Sequence, residues 1–292
     1  MGRVPTGKGF PARAACGGME RQRIAVLGAG NMGTALIRGM LTAHWCKPQN
    51  VQATTRHPER AQALAKELGI TANASNRDAA AWASTIVLGV KPQILHEVLA
   101  DIAPAVTRDK LVISIAAGVT TKTIESYLPA GTPVVRSMPN LGVTVGLGAT
   151  AMCRSEHAKP EDLAVAQAIF ESVGVAVEID EYLMDAVTGL SGTGPMYIFQ
   201  VIEGLSDAGV KMGLSRPTAN QLVVQTVLGA AKLVQVTGQH PGLLKDQVTS
   251  PGGTAIAALH KLESGGLKAL LMDAVETATK RSAELGSRNS QR

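Results

Sequence analysis

From Ile24 onward, short apolar runs alternate with segments whose apolar residues recur at helical spacing, the signature of a parallel sheet wrapped by helices. Ile24–Gly28, Val51–Thr54, Thr85–Val90, Leu111–Ser114, Val134–Met138 and Gly148–Cys153 are predicted strands. Between them, Met32–Thr42, Pro58–Leu68, Gln93–Ile102 and Thr121–Leu128 are predicted helices. In the second of these, Ala61, Leu64, Ala65 and Leu68 form one apolar stripe. Pro160–Ser172 adds a helix and Val175–Glu178 a last short strand.

After about Asp180 the strand signals stop. Met184–Gly189, a long stretch after Pro195, Pro217–Thr237, and Ala255–Glu263 running on to Ala283 all follow a helical pattern. In Leu222–Val234 apolar residues fall on almost every side, and Gly229, Ala230 and Ala231 let backbones approach closely. Such a helix has to be buried, and a helical domain this small covers it more easily with a second subunit than with its own chain. A homodimer through the C-terminal helices is therefore expected.

Composition narrows the classes of function. With 45% hydrophobic and 17% charged residues over 292 positions the chain can bury a real core. Two Trp, three Tyr and three Phe are too few rings for a base-stacking platform, which argues against nucleic acid as a partner. The net charge is +5, but Arg3, Lys8 and Arg13 lie in the first eighteen residues without an acid beside them, so the body is close to neutral. That stretch, rich in Gly and Pro, is expected to be a dispensable leader ending before Met19. The longest apolar run, Ala79–Val90, falls well short of the roughly 20 residues that span a bilayer. Cys16, Cys46 and Cys153 share no disulfide or metal-type spacing. A reducing cytoplasm is the expected compartment, and no metal site is expected.

The first strand runs into Gly28-Ala29-Gly30-Asn31-Met32-Gly33 and then a helix, which is GxGxxG in the setting that gives it meaning. Gly28 allows the turn, Gly30 lets the backbone reach a pyrophosphate, Gly33 lets helix and strand pack, and the helix N-terminus offers unpaired N–H groups. Leu27, Gly28, Ala29, Gly30, Asn31 and Met32 are accordingly assigned to a dinucleotide. The fold class is α/β: a Rossmann-type dinucleotide-binding domain over residues 19–179, followed by an all-α dimerisation domain over 180–292. An NAD site usually places an acid after the second strand, where it accepts from the ribose hydroxyls. Here that strand ends Ala53-Thr54-Thr55-Arg56. Thr55 and Arg56 suit a 2′-phosphate, so NADPH is favoured, with NADH as the alternative.

Further segments, in order, are Val90-Lys91-Pro92, Ser114-Ile115-Ala116-Ala117-Gly118-Val119, Met138-Pro139-Asn140, Gly192-Thr193-Gly194-Pro195 and Asp246-Gln247-Val248-Thr249-Ser250-Pro251-Gly252-Gly253-Thr254. With the Gly28 loop they resemble the pyrroline-5-carboxylate reductases from about Ile24 to about Arg281. The resemblance implies NAD(P)H-dependent reduction of the cyclic imine L-1-pyrroline-5-carboxylate to L-proline, the last step of proline synthesis. It also implies that Gly89, Val90, Lys91 and Pro92 line the cofactor, as does Asn76, and that Glu181 stands near the substrate nitrogen. Physically, Pro92 can pack against nicotinamide while Ala116 and Ala117 leave it room. Lys91 reads equally well as a solvated lysine at a strand end.

The substrate is an anion bearing an imine, so its site needs donors for a carboxylate. Ser250, Gly252, Gly253, Thr254 and Ala255 open a helix and offer hydroxyls and free N–H groups; plain helix capping by Ser250 or Thr254 is the competing reading. Glu181 and Thr254 are the candidate catalytic residues. The chain departs from the family's usual pattern at Ala255 and at Leu141-Gly142, both near the substrate, so a related imine reductase acting on a different cyclic imine is one alternative. Hydroxyacid dehydrogenases, a rival class, use a lysine shortly after a glycine-rich turn. After Gly192–Pro195 no lysine occurs before Lys211. A dinucleotide-binding protein without catalysis is the other alternative.

Overall fold

The computed structural model describes residues 22–289, so the expected leader lies outside them. Eight strands form one sheet: β1 (Ile24–Leu27), β2 (Val51–Thr54), β3 (Thr71–Asn73), β4 (Thr85–Leu88), β5 (Leu111–Ser114), β6 (Val134–Pro139), β7 (Gly148–Arg154) and β8 (Gly174–Glu178). Their spatial order is β3-β2-β1-β4-β5-β6-β7-β8. The first six are parallel, in the order of a doubly wound dinucleotide-binding sheet.

Both faces of this sheet are covered, which is why its strands read as continuous apolar runs rather than alternating ones. Ile24 and Val26 of β1 pack with Leu36, Ile37 and Met40 of α1 (Asn31–Thr42), Leu64 of α2 (Pro58–Leu68) and Phe170 of a later helix. Ala25 and Leu27 point the other way, into a layer formed by α3 (Asn76–Trp82), α4 (Pro92–Ile102) and α5 (Thr121–Glu125). That second layer carries an unusual cap. Lys110, 8% exposed, donates from Nζ to the carbonyls of Ala80, Ala81 and Ala83 at 2.7 Å each, closing the C-terminal end of α3.

The structure departs from the expected elements in four places. β3 and α3 were not expected: β3 has three residues, none buried, and so shows no apolar run. β7 runs antiparallel to β6 rather than parallel. Only a 3₁₀ turn, Leu141–Val145, joins the two, and a parallel crossover needs a dozen residues or more. The helix expected from Ala255 to Ala283 is two, α11 (Thr254–Ser264) and α12 (Leu267–Asn289), because Gly265-Gly266 intervenes and Gly266 sits at φ +70°. Finally, Pro241 at a first helical position starts the short helix α10 (Pro241–Gln247).

Before these come α6 (Pro160–Glu171), which supplies Phe170, the short α7 (Met184–Val187), a π-helical turn at Thr188–Gly192, α8 (Gly194–Lys211) and α9 (Arg216–Thr237). By compactness the described chain divides into residues 196–274 and, as a second unit, 22–195 together with 275–289. This differs from a division near residue 180, because 181–195 packs with β6 and β7: Met184 and Val187 share a cluster with Ala151 and Cys153. In the 196–274 unit, only Ser206 and Ala219 are buried among the described residues, and Leu222, Leu228 and Leu233 of α9 stay about half exposed. No described helix is long and apolar enough to cross a membrane.

Candidate functional site

β1 and β4 lie side by side, and their chains leave toward opposite faces, β1 into α1 and β4 into α4. Crevices at the carboxyl edge of such a switch point are where these sheets bind ligands. A cleft of about 220 Å³ opens there. It is walled by Gly28–Gly30, Thr54–His57, Asn76 and Gly89–Lys91, with Arg60 of α2.

The glycines of the loop do different work. Gly28 has φ +87°, and a Cβ there would stand 2.6 Å from the Val90 side chain. A Cβ on Gly30 would meet nothing within 4 Å, so this backbone is bare on the side a ligand approaches. Gly30 is also the N-cap of α1, which has no side-chain cap and no acid in its first turn. Its first N–H groups and dipole end are therefore available to a phosphate. Behind the loop a relay holds its shape. Gly28 N–H donates to Thr54 Oγ1 at 3.1 Å, and Thr54 donates to Asn76 Oδ1 at 2.6 Å. Asn76 keeps its amide nitrogen for a ligand.

Where the second strand ends, Thr55, Arg56, His57 and Arg60 surround the cleft, and no residue of its walls is acidic. His57 begins α2 without a side-chain cap bond. The corner thus presents two guanidinium groups, donors suited to a phosphate monoester, whereas the start of α2 offers little, since it opens on Pro58 and carries Glu59 in its first turn. Lys91 is exposed and also faces the cleft.

Of the expected cofactor residues, the cleft gathers Gly28, Ala29, Gly30, Thr55, Arg56, Asn76, Gly89, Val90 and Lys91. Leu27 is fully buried and contributes a carbonyl that accepts from Gly89 N–H at 2.8 Å. Met32 packs against the core, and Asn31 borders a separate cavity on the outer side of α1. Pro92 starts α4. Ala116 is 2% exposed within the second layer, and half-buried Ala117 follows it into the turn at Gly118, φ +70°. Thr54, His57 and Arg60 were missed from the sequence, Arg60 because a charge in the first turn of a helix is commonplace.

Glu181 is committed to other partners. Its oxygens accept from the N–H and the hydroxyl of Thr121 at 2.8 Å each, and Arg136 Nη1 stands 3.1 Å away, from a side chain only 8% exposed. The expectation that Glu181 attends the substrate nitrogen thus meets a carboxylate already neutralised by a buried guanidinium. Beside this pair, burial pushes the Cys153 thiol up to about 12.

In the helical unit, α11 begins at Thr254 with Gly253 as N-cap, no side-chain cap and no acid in its first turn. Capping by Ser250 or Thr254 is therefore not what these hydroxyls do. Gly252 is at φ +66° with open space around it, and a Cβ on Gly253 would strike Ser250 Oγ. Ser250, Thr254 and the first N–H groups of α11 together form an unclaimed set of donors. Among the described residues no cluster of three or more His, Cys, Asp or Glu could hold a metal.

Known proteins agree with this geometry. Residues 181–285 match the family described as Pyrroline-5-carboxylate reductase dimerisation, and residues 23–118 match NADP oxidoreductase coenzyme F420-dependent. A pyrroline-5-carboxylate reductase of Methanosarcina acetivorans is 47% identical over 270 residues, 92% of this chain and 100% of that one. One from Pisum sativum is 41% identical, covering 90% and 95%. Among solved structures, a pyrroline-5-carboxylate reductase of Coxiella burnetii superposes with a TM-score of 0.86 at 35% identity, covering 90% of this chain and 98% of that one. The Plasmodium falciparum pyrroline carboxylate reductase, solved with NADP bound, gives 0.83 at 35% identity, covering 92% and 100%. A helical segment with an uncovered apolar face thus coincides with a dimerisation family, and the cleft at β1 and β4 with a dinucleotide family; the chain belongs to the pyrroline-5-carboxylate reductases.

Proposed function

We propose that the chain reduces L-1-pyrroline-5-carboxylate to L-proline with NADPH. The observation that carries the reading is the pairing of two anion sites of different character. One is a dinucleotide cleft whose 2′ corner holds Arg56 and Arg60 and no acid; the other is an uncapped helix start with free hydroxyls at Ser250 and Thr254.

Each part has a task. Gly28–Gly30 and the α1 N-terminus bind the pyrophosphate, with Asn76 beside them; Thr55, Arg56 and Arg60 take the 2′-phosphate. Gly89–Pro92 and Ala116–Ala117 border the nicotinamide. Ser250, Gly252, Gly253, Thr254 and Ala255 take the substrate carboxylate, with Thr254 donating its hydroxyl. The cofactor supplies a hydride when bound. The iminium carbon accepts it as the C=N π pair becomes the nitrogen lone pair, giving the secondary amine. Positioning provides most of the acceleration in such a step. Glu181 contributes by fixing Thr121 at the start of α5 rather than by exchanging a proton with the imine.

The helical segment makes a homodimer, assembled into a ring, and the enzyme works in the cytoplasm. Light scattering of the purified protein tests the assembly. Oxidation of NADPH with the cyclic imine acid, followed by chromatography for proline, tests the reaction. Cofactor binding without turnover would leave a dinucleotide-binding protein instead.

A further inference from the structure

We infer that the C-terminal half of α12 is a positioning element for the nicotinamide loop, with Gly286 as its point of contact. A stripe at helical spacing on α12 meets the 22–195 unit at three levels. A Cβ on Gly189 would lie 2.8 Å from the Val275 carbonyl and 2.9 Å from Thr279 N, so helix and π-helical turn touch backbone to backbone. One turn on, Ser282, 6% exposed, donates to Asp185 Oδ1 at 2.6 Å. At the last level, a Cβ on Gly286 would stand 3.2 Å from the Gly118 carbonyl oxygen and 3.6 Å from its Cα.

Gly118 closes the turn that begins Ile115-Ala116-Ala117, directly after β5, and its φ of +70° gives the turn a shape few other residues tolerate. On its far side the same loop runs into Thr121, which Glu181 holds, Glu181 being paired in turn with Arg136. The loop is therefore gripped at Gly118 by α12 and at Thr121 by Glu181. Its inner wall sets how far the nicotinamide ring can retreat from the substrate. A glycine at 286 lets α12 come close enough to fix that wall, and any Cβ there must displace the Gly118 carbonyl by a few tenths of an ångström.

The inference rests on the proposed reaction, and the test separates the two. Gly286→Ala and Gly286→Val are compared with the unaltered protein. Four quantities are read: kcat, KM for the imine acid, the deuterium isotope effect with NADPH labelled at the transferred hydrogen, and affinity for adenosine 2′,5′-bisphosphate, which fills only the far end of the cleft. Alanine is the better helix former, but its Cβ presses on the Gly118 carbonyl, so the two effects offset and Gly286→Ala should leave thermal stability little changed. We expect kcat to fall about tenfold with Ala and about a hundredfold with Val, with the isotope effect rising. Affinity for the bisphosphate and KM should stay within about twofold. Hydride transfer that slows while stability and bisphosphate affinity hold is not what a purely structural contact produces. Unchanged kcat and isotope effect in folded Gly286→Ala would overturn the inference, as would a parallel loss of bisphosphate affinity. If Gly286→Val does not fold, the alanine variant decides alone. If the unaltered protein turns over no imine, the reaction is wrong; nicotinamide fluorescence on NADPH binding, altered in Gly286→Ala at constant bisphosphate affinity, then supports the clamp, and an unaltered signal refutes it.

Discussion

On the proposed reading, removing the guanidinium groups of Arg56 and Arg60 should leave cofactor binding nearly indifferent to the 2′-phosphate. Arg56 is exposed and Arg60 half-buried, so each contact is partly screened and belongs at the low end of the range for charge-assisted hydrogen bonds, about 1.5 kcal/mol. Arg56→Ala alone is thus expected to weaken NADPH about tenfold. Because both side chains line the same corner of the cleft, their effects should couple and the double variant should lose somewhat less than the additive figure of about 3 kcal/mol, or roughly 150-fold. Arg56→Asp adds a repelling carboxylate and should invert the preference. NADH affinity should hardly move, since Gly28–Gly30 and α1 bind the part that the two cofactors share. The assay is kcat/KM for each cofactor at fixed imine, repeated at higher salt, where the wild-type preference should shrink as the exposed charges are screened. An unchanged NADPH-to-NADH ratio in the double variant refutes the assignment; so does an equal fall for both cofactors, which would mean that the α2 end had collapsed.

Thr254→Val keeps the shape of the residue and removes one neutral donor, so KM for the imine acid should rise by the factor that about 0.5–1.5 kcal/mol gives, with NADPH affinity unmoved. Unchanged KM would take Thr254 out of the site. Lys110→Met strands three carbonyls at the end of α3 and should cost about 2–3 kcal/mol, read as a lower Tm with kcat preserved in the folded enzyme. Cys46 and Cys153, whose thiols burial pushes to about 11 and about 12, should resist alkylation at neutral pH until the chain is unfolded, as peptide mapping can read. The unfolded thiols release their protons near pH 9 and the folded ones do not, so stability should decline as pH rises above about 9. Rapid labelling of either cysteine in the native protein at neutral pH would contradict their burial.

Much of the sheet was legible because its strands are buried on both faces and flanked by strong turn signals; β1 with its glycine loop is the plainest case. β3 was not, since three partly exposed residues leave no run to read. The direction of β7 could have been deduced from the shortness of its connection to β6. Gly265-Gly266 likewise marked a break that the apolar pattern on either side overrode. At the site, contacts close in sequence were readable, and the Gly28 loop and the glycines just before α11 fell where expected. The Arg136–Glu181–Thr121 group and the approach of Gly286 to Gly118 were not, because each joins residues far apart in the chain, and no periodicity records which distant carboxylate a buried arginine will find.

The division of the chain has a consequence for how the protein is made. Every described strand of the sheet has been synthesised by Glu178, yet 275–289, which belong to the same unit, emerge only after the whole of 196–274. A nascent chain can therefore assemble its nucleotide-binding sheet on the ribosome while the loop at Gly118 still lacks α12. On the proposed reading, competence for hydride transfer waits for 275–289, and a chain stalled before Val275 would capture the dinucleotide without gripping its reactive end. Quality control of such products has a direct chemical reporter: retention on an adenosine-phosphate matrix without turnover.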